Sequence, residues 1–153
     1  MNLRDLSRLH VFALYAVIKC DAQESGVLRD INLVLSTIPV SNKVTNLSFD
    51  FKISGEYPFG GCLEEDWVGL CGEVVRISAG KPLELILKTL ARQAKFQHTH
   101  PELYEGITER IASLSDHPKI CTHFWHPALI PYVPFDMHPL NMLQCRETVL
   151  LSI

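Results

Sequence analysis

The chain has 153 residues, 47% of them hydrophobic and 20% charged, with a formal net charge of -3 at pH 7. That length and balance fit one ordinary globular domain, 1–153, and exclude a disordered chain. The acidic balance, with Lys and Arg scattered, argues against a basic nucleic-acid stripe; it would suit a basic protein partner, and it is equally what keeps many soluble proteins in solution.

Five cysteines, Cys20, Cys62, Cys71, Cys121 and Cys145, form no CxxC pair and cannot all pair within the chain. Such a count fits reduced thiols in a cytoplasmic protein. Arg4 and Arg8 precede the apolar run 11–18, which resembles the core of a signal peptide. Lys19 follows that run directly and no small-x-small cleavage site appears, so the run is read as part of the fold. It is too short to span a bilayer.

In chain order, Asn2 and Asp5 suit the start of a first helix carrying Leu3, Leu6 and Leu9. The run 11–18 fits a buried helix or a central strand, and helix is the preferred expectation. Val27, Leu28, Ile31, Val34, Leu35 and Ile38 predict a helix, with Ser25 placed to cap it and Pro39 to stop it. Leu47, Phe49, Phe51 and Ile53 alternate with Ser48, Asp50 and Lys52, which predicts a half-buried strand ending at Gly55. Pro58, Gly60 and Gly61 mark a loop. Across 64–77 the acids suit a helix start, although Val74 and Val75 also suit a strand; helix is expected in the first half.

From Pro82 onward, Leu83, Ile86, Leu87, Leu90, Ala91 and Ala94 predict an amphipathic helix. Thr99 and Glu102 have the spacing of a capping box, opening a helix with Leu103, Ile107, Ile111 and Leu114 on its core face. Strands are expected at 120–125 and 148–153. Between them Pro127, Pro131, Pro134 and Pro139 forbid continuous ladder pairing, which predicts an extended segment wrapped on the domain over 127–141. The sum is an α+β domain: about four helices packed on a small, mostly antiparallel sheet, with an extended proline-rich segment near the C-terminus.

Six of the seven histidines fall in 98–138: His98, His100, His117, His123, His126 and His138. Imidazole is the commonest metal ligand. In a strand, Cys121 and His123 project to one face, and His126, His98 or His138 could add donors to a zinc site with an open position for water. No HExxH or paired CxxC accompanies them, and most of these histidines also read as helix-end or pre-proline residues. A cysteine nucleophile at Cys62, behind Gly60 and Gly61, is a further option, with a C-terminal histidine as base and Asp136 or Glu64 to orient it.

Tyr57, Phe59, Glu64, Glu65, Asp66 and Trp67 offer aromatic anchors ringed by acid, a composition suited to protein interfaces. Compactness, acidic balance and the lack of a catalytic motif make a non-enzymatic protein-binding module the first expectation, of the inhibitor, immunity or adaptor kind. It needs no cofactor, nucleic acid or membrane, and it is compatible with self-association. A small zinc-dependent hydrolase using the Cys/His cluster is the competing expectation.

Overall fold

The computed structural model describes residues 9–20, 25–55, 60–92, 101–125 and 148–152, the side chains at 20, 91, 92 and 148–152 excepted. Five strands, β1 (Val11–Cys20), β2 (Asn46–Gly55), β3 (Leu83–Arg92), β4 (Ile120–Trp125) and β5 (Thr148–Ser152), form one sheet in the order β4-β3-β2-β1-β5. Every described pairing is parallel. Three helices longer than one turn, α1 (Val27–Leu35), α3 (Trp67–Ser78) and α4 (Pro101–Ser115), and a single turn, α2 (Gly60–Leu63), connect the first four strands.

This corrects the expectation of an α+β domain on a mostly antiparallel sheet: the architecture is α/β. Alternating polarity marks a sheet covered on one face, an arrangement commoner among antiparallel sheets. Here the steps from β1 to β2, β2 to β3 and β3 to β4 all move one place in the same direction. Right-handed crossovers then stack the intervening helices on a single face. Their buried residues join one core with the inward set of every strand from β1 to β4.

Two strands had been expected as helices. In β1, apolar residues occupy both phases, so the run 11–18 satisfies a helical period and a strand period alike. In β3, Leu83, Leu85 and Leu87 face the core while Ile86 and Leu90 lie half-exposed on the other face. Apolar residues on both sides therefore imitated a helical stripe. Pairing with β2 on one side and β4 on the other decides the state, a non-local cause that local spacing does not contain.

α1, β2, α4, β4 and β5 lie close to their expected spans. α2 is a helical turn where Gly60 and Gly61 predict a loop, and α3 stays helical through Ser78, where strand was the competing expectation. The expected first-helix residues 2–6, the capping box at Thr99 and the extended segment 127–141 lie outside the described residues.

The core is built around an aromatic line. Phe12 meets Phe49 edge-on with centroids 6.3 Å apart, Phe49 stacks on Phe51 at 5.8 Å, and Phe51 meets Trp67 edge-on at 6.1 Å. The line runs from β1 through β2 into α3, so it fastens the central helix to the centre of the sheet. Each such pair adds about 0.5–1.5 kcal/mol beyond the area it buries.

Candidate functional site

The expected binding stretch 57–67 divides once it is folded. Tyr57 and Phe59 lie outside the described residues. Glu65 is buried, and its carboxylate accepts hydrogen bonds from the Ser25 amide at 2.6 Å, the Ser25 hydroxyl at 2.5 Å, the Gly26 amide at 3.1 Å and the Leu28 amide at 3.0 Å. It caps α1 from outside, where free N–H groups and the helix dipole favour an anion. Ser25, expected to cap α1, instead hands that role on: Gly26, at φ 74°, is the N-cap residue and makes no side-chain cap.

Trp67 is only 1% exposed, and its indole Nε1 donates to the Cys62 carbonyl at 2.8 Å. Asp66 is exposed but engaged, its Oδ1 accepting from the Gly69 amide at 2.8 Å as the cap of α3 and its Oδ2 from Asn32 Nδ2 at 3.0 Å. Glu64 is exposed. Thus Glu65 and Trp67 hold the helix layer together, and of the six only Glu64 and Asp66 are placed at the described surface.

On the face of the sheet away from the described helices, β4 and β3 bring Cys121, His123 and Glu84 together. Cys121 Sγ lies 3.4 Å from His123 Nε2, and that same nitrogen lies 3.5 Å from Glu84 Oε1. The other oxygen of Glu84 accepts a hydrogen bond from the side-chain Nδ2 of Asn46. A thiol–imidazole–acid relay uses both ring nitrogens, one toward each partner. Here thiol and carboxylate meet one nitrogen, so the trio lacks the geometry of such a relay. Among the described residues no group of three or more His, Cys, Asp or Glu is arranged to hold a metal ion. His98, His126 and His138, the other expected donors, lie outside the described residues, as do His100 and Asp136. His117 is half-exposed at the end of α4, where its Nδ1 accepts from the Lys119 amide at 3.2 Å. Cys62 is fully enclosed in α2, which leaves its thiol no approach for a substrate.

A different surface emerges on the outside of the helix layer. α3 packs between α1 and α4. It turns Trp67, Leu70, Cys71, Val74 and Ile77 inward. Outward it presents Val68, Gly72, Val75 and Ala79, a stripe with no charge, and Val68 is 80% exposed. Beside it, α4 exposes Glu102, Glu105 and Glu109.

The neighbouring cations are committed elsewhere. Arg76 pairs with Glu73 at 2.7 Å and donates to the Leu35 and Ile38 carbonyls, both at 2.7 Å, closing the C-terminal end of α1. Arg110 donates to the Leu63 carbonyl at 2.6 Å and the Gly106 carbonyl at 2.9 Å. On the described helices the only exposed cation is Arg29 on α1. The uncharged stripe has a signal in the sequence: Val68 and Val75 break the polar face of α3 at helical spacing. The acids at 64–66 draw attention away from that stripe, and Val74 and Val75 suit a strand as well as a helix, so the helical phase is ambiguous at its C-terminal half.

No known protein family, curated protein or solved structure matches this chain. Among the described residues no helix is long and apolar enough to cross a membrane.

Proposed function

We propose that this chain is a protein-binding module that acts by contact, of the inhibitor, immunity or adaptor kind, and that it takes a basic partner on the outer surface of its helix layer. The observation that carries the reading is that α3 and α4 pack side by side, α3 exposing Val68, Gly72 and Val75 and α4 exposing Glu102, Glu105 and Glu109. Exposed apolar side chains rimmed by one sign of charge suit an interface that desolvates its centre and steers its partner electrostatically. Thiols without a disulfide at Cys71 and Cys121, among the described residues, support a reducing compartment, and the cytoplasm is the placement offered.

The test is selection of 18-residue displayed peptides against the full chain. Enrichment of cationic sequences whose binding is lost on combined Glu102→Lys, Glu105→Lys and Glu109→Lys substitution is the expected result. No enrichment, or binders indifferent to that charge reversal, overturns the reading.

A further inference from the structure

Strands β4 and β5 lie at opposite edges of the sheet, and both run parallel to the strands between them. The connection between them, residues 126–147, lies outside the described residues, but both of its ends are placed. Trp125 closes β4 in register with Lys88, Asp50 and Tyr15, and Thr148 opens β5 in register with Val11. At about 4.8 Å between strands and about 3.3 Å per residue, that diagonal is about 23 Å long. A chain of this length reaches about 70 Å when extended, so reach alone allows a path over either face.

Handedness decides between the faces. A crossover between parallel strands of one sheet is right-handed in about 98% of cases. The three steps from β1 to β4 move one way across the sheet, and their helices bury residues in a single core on one face. The step from β4 to β5 moves the other way. Reversing the direction while keeping the hand carries the chain across the opposite face, the outward one. All-parallel sheets, moreover, are found almost only with both faces covered.

The outward face has apolar side chains to cover. Val17 on β1 and Ile86 and Leu90 on β3 are half-exposed there, Tyr15 is 40% exposed and Trp125 is 42% exposed. The connection carries Leu129, Ile130, Tyr132, Val133 and Phe135, while its prolines deny it a continuous ladder. We infer that the outward face of the sheet is taken by this chain's own residues 126–147, crossing from Trp125 to Thr148, and is not a docking surface for another molecule. Ser48, Asp50 and Lys52 on β2 divide the apolar residues of β1 from those of β3, so this contact is lighter than the one beneath the helices. Cys121, at the start of β4, stands at a corner off the diagonal and keeps its exposure.

The test places the photocrosslinker p-benzoylphenylalanine in the full chain at Tyr15 or at Ile86 on the outward face, and at Val68 on the helix layer for comparison. Replacing Tyr15 exchanges one exposed aromatic ring for another, and each variant's thermal midpoint is checked against the parent chain. After irradiation, mass spectrometry of the digested protein locates the crosslinked peptide. The expected result is capture of 126–147 of the same chain from Tyr15 and from Ile86, and none from Val68. In the parent chain, chymotryptic cleavage after Tyr132 and Phe135 is expected to run at least about tenfold slower in the native protein than in the unfolded one. Capture of 126–147 from Val68 places the crossing over the helices and overturns the inference. Crosslinks from Tyr15 and Ile86 that join two chains assign the outward face to a second copy and overturn it too. So does the absence of capture from both sheet positions, or native cleavage as fast as in the unfolded chain.

Discussion

The two faces of this sheet are made by the same strands and differ in nearly everything else. On β2, Leu47, Phe49, Phe51 and Ile53 are sealed beneath the helices, while Ser48, Asp50, Lys52 and Ser54 look the other way and remain half-exposed. The register carries the contrast across the sheet: Leu14, Phe49 and Leu87 lie in one inward row, and Tyr15, Asp50 and Lys88 lie in the outward row beside it. One face therefore supplies stability and the other supplies little of it. What the comparison teaches is that the helix layer is both the cover of the core and the more acidic surface, so its outward residues are free for recognition only where its inward ones are already anchored.

The sharpest way to break this contrast is to truncate one residue on each side of β2. Phe49 touches both Phe12 and Phe51, and Phe49→Ala removes two aromatic contacts and leaves a cavity. The expected cost is about 3–5 kcal/mol in urea unfolding. Asp50→Ala, one residue along, is expected to change stability by less than about 0.5 kcal/mol. Equal losses at the two positions would mean that the outward face is packed as firmly as the core.

Glu65 sharpens the contrast next, because it is the one buried acid among the described residues. Its carboxylate collects four donors around the start of α1. Glu65→Ala is expected to cost about 2–3 kcal/mol, since it leaves buried amide donors unpaired. Glu109→Ala, on the exposed row, is expected to leave stability within about 0.5 kcal/mol of the parent. Amide hydrogen exchange would localise the first effect: faster exchange at 27–30 in Glu65→Ala, with α4 unchanged, is the pattern that an external cap requires.

How much of this could be read from the chain itself follows from the same division. β2 was legible because its two phases differ cleanly, apolar on one side and polar on the other. α4 was legible for the analogous reason at helical period, with Leu103, Ile107, Ile111 and Leu114 inward. β1 and β3 were not, because Tyr15, Val17, Ile86 and Leu90 place apolar atoms on the outward face and blur the period. Strand direction was illegible for a deeper reason: alternation reports how many faces are covered, and the usual link from one covered face to antiparallel pairing fails here. The proposed recognition surface is obscured in the sequence by proximity along the chain. Glu64, Glu65, Asp66 and Trp67 stand together along the chain, yet Glu65 and Trp67 turn inward, whereas Val68 and Glu109 lie far apart in the chain and are brought to neighbouring helices.

The smallest expected effect separates the two faces by their thiols. Cys121 stands on the outward face and is exposed, while Cys71 is enclosed between α3 and α4. Burial pushes the Cys71 thiol above its ordinary value of 9.0, outweighing the hydrogen bonds that act the other way. A maleimide added to the native protein should therefore label Cys121 well before Cys71, read by peptide mass spectrometry. The same burial ties Cys71 to stability at alkaline pH. Below 9.0 both native and unfolded chains keep this proton, so the contribution is fully present. As pH rises past that value the unfolded thiol ionises first, the native one still holds its proton, and the balance shifts toward unfolding until the native thiol ionises too. The urea midpoint of the parent chain should consequently fall more steeply above pH 9.0 than that of Cys71→Ala, in which this group is missing. Parallel slopes in the two proteins, together with early labelling of Cys71, would show that the seam between α3 and α4 is open to water.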